Sequence, residues 1–218
     1  MLTAYEHIVS PMTASWCGWT MLALLIMAVL SEWIQPGVIS RAKDSLTVHP
    51  ERAYKEAPTQ TVAQVFITLF RLGTMAMALC ICFPPESGFS FLAYLAVAGV
   101  VFGVALVKMA LDLVVDYTFR ITKRYGDIYE HFSNIFTLVS VALYLLLLLF
   151  MRIDSLVATR WMLGLMAGVF FLLWAYRCVR QYVHSPMATA YLLIYMTTLE
   201  FLPLAGIALL SAKTISLI

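Results

Sequence analysis

Six long apolar runs constrain this chain more than any other feature of its sequence. They cover residues 16–34, 62–83, 89–108, 132–151, 161–176 and 187–210. A helix needs roughly 17–25 mostly apolar residues to cross the hydrocarbon core of a bilayer, which is about 30 Å thick. The runs approach or exceed that length, so the sequence predicts an all-α, polytopic membrane bundle of about six transmembrane helices.

The composition argues against most soluble alternatives. Hydrophobic residues make up 62% of the chain and charged residues 12%, whereas soluble domains are roughly half apolar and about a quarter charged. The net charge of +2 is too small for a surface that tracks phosphates, so no nucleic-acid partner is expected. The longest polar stretch, residues 35–61, is too short for a soluble domain. The sequence therefore predicts that residues 1–218 form one integral domain in the lipid bilayer.

The basic residues predict an orientation, because short cytoplasmic loops carry an excess of Lys and Arg. With six spans and the N-terminus outside, the inside loops contain Arg41, Lys43, Arg52, Lys55, Arg120, Lys123, Arg124, Arg177 and Arg180. The outside segments contain Arg152, Arg160 and Lys213. This bias favours both termini facing outwards. The fifth run is the shortest, and if it does not cross, the C-terminus alone changes side.

Two ionisable residues fall deep inside apolar runs, where a central charge costs about 2.5–3.5 kcal/mol on insertion scales. Arg71 lies 12 residues before Phe83, roughly 18 Å from the outer end of its helix. Glu200 lies 11 residues before Ser211, roughly 16 Å from the outer end of the last helix. Because these depths agree within a turn, the sequence predicts that Arg71 and Glu200 meet inside the bundle.

Neighbouring groups add polar atoms at the depth of Glu200. Thr197 and Thr198 contribute hydroxyls, and Pro203 cannot donate to the carbonyl of Leu199, which leaves that oxygen as an acceptor. The pair of charges has two interpretations. It is a structural pin that fixes helix packing, or it is a proton- or substrate-binding site in which Glu200 titrates.

A second set of charges follows the inner end of the third run at intervals of four residues, which places the set along one helical face. Its members are Lys108, Asp112, Asp116 and Arg120. We expect this helix to continue out of the bilayer towards Arg124 and to end before Gly126. The favoured interpretation is a solvated or partner-facing stripe. A divalent cation held with Asp127 or Glu130 is the alternative.

The motifs of common cofactor sites are missing from the sequence. The four histidines all lie outside the predicted hydrocarbon region or at its edge: His7, His49, His131 and His184. We therefore expect no haem bound by bis-His ligation, no metal site and no other cofactor. Two GxxxG motifs, Gly99–Gly103 and Gly164–Gly168, permit close helix approach, most simply inside the bundle, although self-association is also open.

The closing segment carries a more specific pattern. Residues 195–203 read Tyr-Met-Thr-Thr-Leu-Glu-Phe-Leu-Pro, which resembles the closing helix Tyr-Leu-Cys-Thr-Leu-Glu-x-x-Pro of an uncharacterised inner-membrane family of Bacteroidota. Thr197 stands where that family has Cys, so no role of the sulfur carries over. The resemblance implies a small multi-pass protein of the bacterial inner (cytoplasmic) membrane and supports the importance of Glu200, but it implies no reaction.

Three functional classes follow from these patterns. The favoured one is a non-enzymatic scaffold or assembly component of the cell envelope with an envelope protein as partner, since no catalytic motif is found. The second is a small carrier or channel component that uses the Arg71–Glu200 site, with Pro203 as a helix break. An intramembrane enzyme is the least favoured, because no nucleophile and base can be assigned to one depth.

Overall fold

A computed structural model of the chain describes residues 15–40, 61–83, 90–119, 122–150, 161–169, 172 and 202–216. Within these residues the five longest helices are α1 (Ser15–Ile34), α2 (Thr61–Cys82), α3 (Phe91–Phe119), α4 (Thr122–Phe150) and α5 (Leu202–Ser216). Residues 161–169 are also helical. The described residues contain no strand, and the predicted all-α fold is confirmed.

Three of these helices contain a segment long and apolar enough to cross a membrane: Ser15–Ile34, Val62–Cys82 and Phe91–Leu111. A fourth apolar segment, Ser133–Leu149, is shorter. Residues 173–201, which contain most of the sixth predicted run, lie outside the described part of the chain. The count of six spans therefore stays a prediction.

The outer surface of the described helices is more apolar than that of a soluble protein, and several polar side chains are buried between them. Large apolar side chains such as Trp19 (72% exposed) and Leu209 (72% exposed) cover the outside of the helices. Among the described residues, the buried polar side chains are those of Ser31, Gln35, Arg71, Thr74, Thr137, Ser140 and Ser211. Soluble monomers rarely expose such extensive apolar surface, whereas lipid tails solvate it. The helices therefore fit a membrane protein.

Helix α2 is the centre of the bundle, and it packs against α1, α3 and α4 and more lightly against α5. Half of its apolar segment is buried, against 28% for α1 and 22% for α3. Ala63, Ile67 and Phe70 of α2 are almost completely enclosed. Since the other helices surround α2, a side chain on α2 is the one best placed to face the interior.

Helices α1 and α2 are antiparallel. Near the end of α1, the Ser31 hydroxyl donates to the carbonyl of Ala63, close to the start of α2, at 3.0 Å. Earlier in α1, Leu24 lies against Gly73, further along α2. Because the contacts run backwards along α1 as they advance along α2, the two helices run in opposite directions.

Helix α3 begins at the same end of the bundle as α1, and α4 runs in the direction of α2. The Trp16 ring lies 5.9 Å from that of Phe91 at the start of α3. In α4, Ser133 accepts a hydrogen bond from Arg71, whereas Tyr144 reaches Met21, nearer the start of α1. The first four helices therefore alternate in direction.

Helices α3 and α4 are longer than a bilayer requires. Each has 29 residues, or about 43 Å at 1.5 Å per residue, against a hydrocarbon core of about 30 Å. Helix α3 continues past Lys108 but ends at Phe119, and Gly126 lies inside α4. The expectation that one helix would continue towards Arg124 and end before Gly126 was wrong. A glycine lowers helix stability by only about 1 kcal/mol, which flanking helix-forming residues offset.

The close helix approach occurs at a glycine outside both GxxxG motifs. A Cβ atom at Gly73 would lie 2.5 Å from Leu24 Cδ2, whereas among the described residues no atom lies within 4 Å of a Cβ built at any of the four motif glycines. Internal packing of the two motifs therefore stays a prediction, and the close contact that the described residues make lies at Gly73. In α3 the buried face contains Val97 and Val101. At about 100° per residue, Gly99 lies about 200° from Val97 and therefore on the opposite side of the helix.

A Tyr144→Phe variant tests the contact between α4 and α1. The Tyr144 hydroxyl donates to the carbonyl of Met21 at 3.0 Å in a buried position. Interhelical hydrogen bonds in membranes contribute about 0.6 kcal/mol on average, so we expect a loss of about 0.5–1 kcal/mol in the free energy of unfolding. The ring contact with Phe70 should persist. Equilibrium unfolding in mixed detergent micelles measures the difference.

Candidate intramembrane polar site

Arg71 lies in the interior of the bundle, with only 7% of its surface exposed. Arg71 is the eleventh residue of α2. Its burial follows from the central place of this helix in the bundle. Its Nη1 donates to the Ser133 hydroxyl of α4 at 2.8 Å. The bond joins α2 to α4 at the point where the apolar segment of α4 begins.

Further polar side chains lie on the face of α2 that contains Arg71 and on the face of α4 that contains Ser133. At about 100° per residue, Arg71 and Thr74 lie within about 60° of each other on α2. Ser133, Thr137 and Ser140 lie within a similar sector of α4. Thr74, Thr137 and Ser140 are each at most 2% exposed. We call this group of five residues the α2–α4 polar seam.

Three hydroxyls of the seam bond to their own helices. Thr74 donates to the carbonyl of Phe70 at 2.7 Å. Thr137 donates to the carbonyl of Ser133 at 2.9 Å, and Ser140 donates to that of Phe136 at 2.8 Å. Such bonds to the residue four positions earlier satisfy the hydroxyl hydrogen inside an apolar helix. They leave the oxygen lone pairs of these hydroxyls as acceptors within the seam.

The seam offers a fixed positive charge and hydroxyl acceptors. A guanidinium stays protonated in proteins and has five donors but no acceptor, so Arg71 cannot exchange a proton itself. It can hold a carboxylate or another anion through charge-assisted hydrogen bonds. Proton transfer at this site would therefore need a second, titrating group, the role that Glu200 has in one of the two interpretations of the sequence.

The predicted partners of Arg71 lie largely outside the described residues. Glu200, Thr197 and Thr198 belong to the segment before α5 that the structure does not describe. Pro203 is the second residue of α5 as the structure describes that helix. Helix α5 packs against α3 and α2. The Arg71–Glu200 pair therefore stays a prediction.

The predicted charged stripe is only partly described. Lys108 is partly exposed on α3. Asp112 and Asp116 belong to the same uninterrupted helix, although their side chains, like all of Arg120, lie outside the described part of the structure. The continuity of α3 supplies the helical spacing from Lys108 to Asp116 that the stripe requires. Its role stays a prediction.

Two features of this interior were not anticipated from the sequence. The first is the seam face of α4, although Ser133, Thr137 and Ser140 follow the spacing i, i+4, i+7, which a search for polar periodicity within apolar runs finds. The second is Glu32, whose carboxylate accepts the N–H groups of Gly37 at 2.6 Å and Ile39 at 3.1 Å. The sequence feature that could have predicted this contact is the Pro36–Gly37 turn soon after an acidic residue. Gly37 has φ +89°, which favours glycine.

A Ser133→Ala variant tests the bond between Arg71 and α4. The substitution removes an acceptor from a buried guanidinium, and we expect the free energy of unfolding to fall by about 1–2 kcal/mol, near the upper range for interhelical bonds in membranes. Ser140→Ala is the matched control, because the Ser140 hydroxyl donates within its own helix. Equal losses for the two variants, measured by unfolding in mixed micelles, would contradict a stabilising Arg71–Ser133 bond.

The comparisons with known proteins give one match. A family model described as Domain of unknown function (DUF4271) matches residues 18–209, a range that includes α2, α3 and α4 completely. No curated protein and no solved structure matches the chain. Both Arg71 and Glu200 fall within the matched range.

Proposed function

The chain belongs to the DUF4271 family of domains of unknown function, and we propose that it is a non-enzymatic scaffold or assembly component of the cell envelope. The membership confirms the expectation of an uncharacterised family. The Bacteroidota origin and the closing motif stay predictions. We further propose that the chain spans the bacterial inner membrane several times, with both termini outside.

One observation carries the scaffold proposal: buried polar side chains of the described interior tie separate helices together. Ser31 of α1 bonds to α2, Arg71 of α2 bonds to α4, and Tyr144 of α4 bonds to α1. The three bonds form a closed circuit among three helices. Interhelical hydrogen bonds stabilise helix association in lipid, and a circuit of this kind favours one fixed arrangement, as a scaffold needs.

The length of α3 supports a partner at the cytoplasmic end. In the proposed orientation, the roughly 13 Å by which α3 exceeds the hydrocarbon core lies on the inner side. The residues in this part of α3 include Asp112 and Asp116. Charges held on a rigid helix beyond the lipid are suited to recognising a protein of complementary charge.

The test is native mass spectrometry of the full-length protein extracted gently from its own membrane. We expect a stoichiometric protein partner that is lost when Asp112 and Asp116 are both replaced by lysine. Lys213→Glu, a charge reversal at the other predicted face, is the control and should retain the partner. No stoichiometric partner, or equal retention by both variants, would contradict the proposal.

A carrier or channel component is the second proposal, and the burial of Arg71 in the polar seam favours it. Intramembrane charges mark ion and substrate pathways in many transporters, and Pro203 lies near Glu200 in the sequence. In proteoliposomes with an entrapped pH-sensitive dye, we expect proton flux that Glu200→Gln abolishes at unchanged protein abundance. Flux that is absent from the wild type, or unaffected by this substitution, would exclude a Glu200-dependent proton pathway.

A further inference from the structure

A groove between α1 and α4 opens on the outside of the bundle. It has a volume of about 470 Å³, within the range of about 300–1,000 Å³ typical of ligand sites. One wall is a stripe of α1 at helical spacing: Leu25, Ala28, Val29, Glu32 and Trp33. The surface that lines the groove is almost entirely apolar.

The other surfaces of the groove come from α2 and α4. Phe70 of α2 is 1% exposed and forms the floor. Val141, Tyr144 and Leu145 of α4 form the opposite wall. The Tyr144 hydroxyl is engaged by the carbonyl of Met21, so its ring presents an apolar surface. A polar ligand would find few partners along these walls.

The length and position of the groove match one leaflet of a bilayer. From Leu25 to Trp33 the α1 wall advances eight residues, or about 12 Å, and half of the hydrocarbon core is about 15 Å thick. Trp33, at one end of the wall, is 79% exposed, as expected for a tryptophan of the interfacial belt. The groove therefore extends from the membrane interface towards the bilayer centre, along the path of an acyl chain.

A carboxylate held in place by the backbone lies beside the interfacial end of the groove, but not on its lining surface, which is almost entirely apolar. The Glu32 carboxylate accepts the N–H groups of Gly37 and Ile39, which fixes the turn after α1 and brings Ile39 against the groove. Glu32 is the one ionisable residue among the described side chains that line it, apart from the Tyr144 phenol. Each carboxylate oxygen has further acceptor capacity.

We propose that this groove binds one phospholipid, with an acyl chain between α1 and α4 and an amine-bearing headgroup beside Glu32. The apolar walls select the chain, and the Glu32 carboxylate attracts an ammonium group and repels a headgroup with net negative charge. In the proposed orientation this lipid belongs to the inner leaflet. The site requires only that α1 lies in the bilayer and is independent of the scaffold role.

The test is native mass spectrometry of the purified full-length protein, with either phosphatidylethanolamine or phosphatidylglycerol added. We expect one phosphatidylethanolamine to remain bound. Val29→Trp should lower its occupancy at least about tenfold, equivalent to about 1.4 kcal/mol, because the indole fills the groove. Ile26→Trp is the matched control on α1, since Ile26 does not line the groove and is 49% exposed, close to the 57% of Val29.

A second pair of variants keeps the proposal testable if Val29→Trp fails to fold. Leu145→Trp fills the groove from α4, and Leu149→Trp changes an exposed residue of the same helix that does not line it. Equal lipid retention by groove and control variants would overturn the site. Equal retention of phosphatidylglycerol and phosphatidylethanolamine would overturn the role of Glu32. Neither result depends on a protein partner, so the scaffold proposal is judged separately.

Discussion

If Arg71 pairs with Glu200 as the sequence predicts, an Arg71→Met variant should lose about 3–5 kcal/mol in the free energy of unfolding, the cost of leaving one member of a buried ion pair without its partner. Arg71 is buried in α2, and the sequence places Glu200 at the same depth. Glu200→Gln should lower the free energy of unfolding by a similar amount, because in the predicted pair it leaves the guanidinium of Arg71 without its counter-charge. The double variant should be less destabilised than the sum of the single variants.

A double-mutant cycle measured by unfolding in mixed micelles decides this prediction. A coupling energy of about 1–3 kcal/mol is expected for residues in direct contact. Additive losses would show that Arg71 and Glu200 act independently. Arg71→Lys is a useful companion, because it keeps the charge but loses the planar fork of donors, and we expect partial retention of stability.

Gly73→Val should lower the free energy of unfolding by about 1–3 kcal/mol, because the added side chain overpacks the contact between α1 and α2. A Cβ atom at this position would lie 2.5 Å from Leu24 Cδ2 and 3.3 Å from the Tyr94 hydroxyl. Leu24 is itself buried, so its displacement disturbs the α1–α2 contact. The change in stability is measured by heating the protein in micelles and recording the loss of monodisperse protein with temperature.

Gly99→Val is the control for this effect, because no atom of the described residues lies within 4 Å of a Cβ built at Gly99. We expect the melting temperature of that variant to stay near the wild-type value. A larger loss at Gly99 than at Gly73 would mean that the GxxxG face of α3, and not Gly73, is the tightly packed one. That result would contradict the described packing.

The existence of the first helices could be predicted from the sequence with little more than length. Helices α1 and α2 coincide within one residue with the apolar runs 16–34 and 62–83, because a continuous apolar run of that length has few alternatives to a helix. Their polar interruptions were also informative. A charge in an apolar run predicts a position inside the bundle, and Arg71 is buried in the structure.

The packing of the helices was harder to predict, for a physical reason. Away from the charged residues near their ends, α1 and α3 are mostly apolar on all sides, so hydrophobicity does not distinguish the face that meets protein from the face that meets lipid. The GxxxG motifs consequently suggested an internal contact at Gly99 and Gly103, whereas the contact lies at Gly73. The Ser133, Thr137 and Ser140 face was predictable in principle, since hydroxyls in an apolar helix avoid lipid.

The helix boundaries outside the bilayer were also missed for a local reason. A change from apolar to polar residues ends a predicted span, but it does not end a helix. Helix α3 continues to Phe119, and α4 begins at Thr122, ten residues before the apolar run that starts at residue 132. Glycine at position 126 does not prevent helix formation there.

The labelling of single cysteines in intact cells tests whether the helices of the bundle cross the membrane in alternating directions. In a background where Cys17, Cys80, Cys82 and Cys178 are replaced by alanine, Ser15→Cys and Phe83→Cys should react with a membrane-impermeant thiol reagent. Ser40→Cys should react only after permeabilisation, because α1 separates it from Ser15 by about 30 Å of helix. Labelling of Ser15→Cys and Ser40→Cys from the same side would contradict the account.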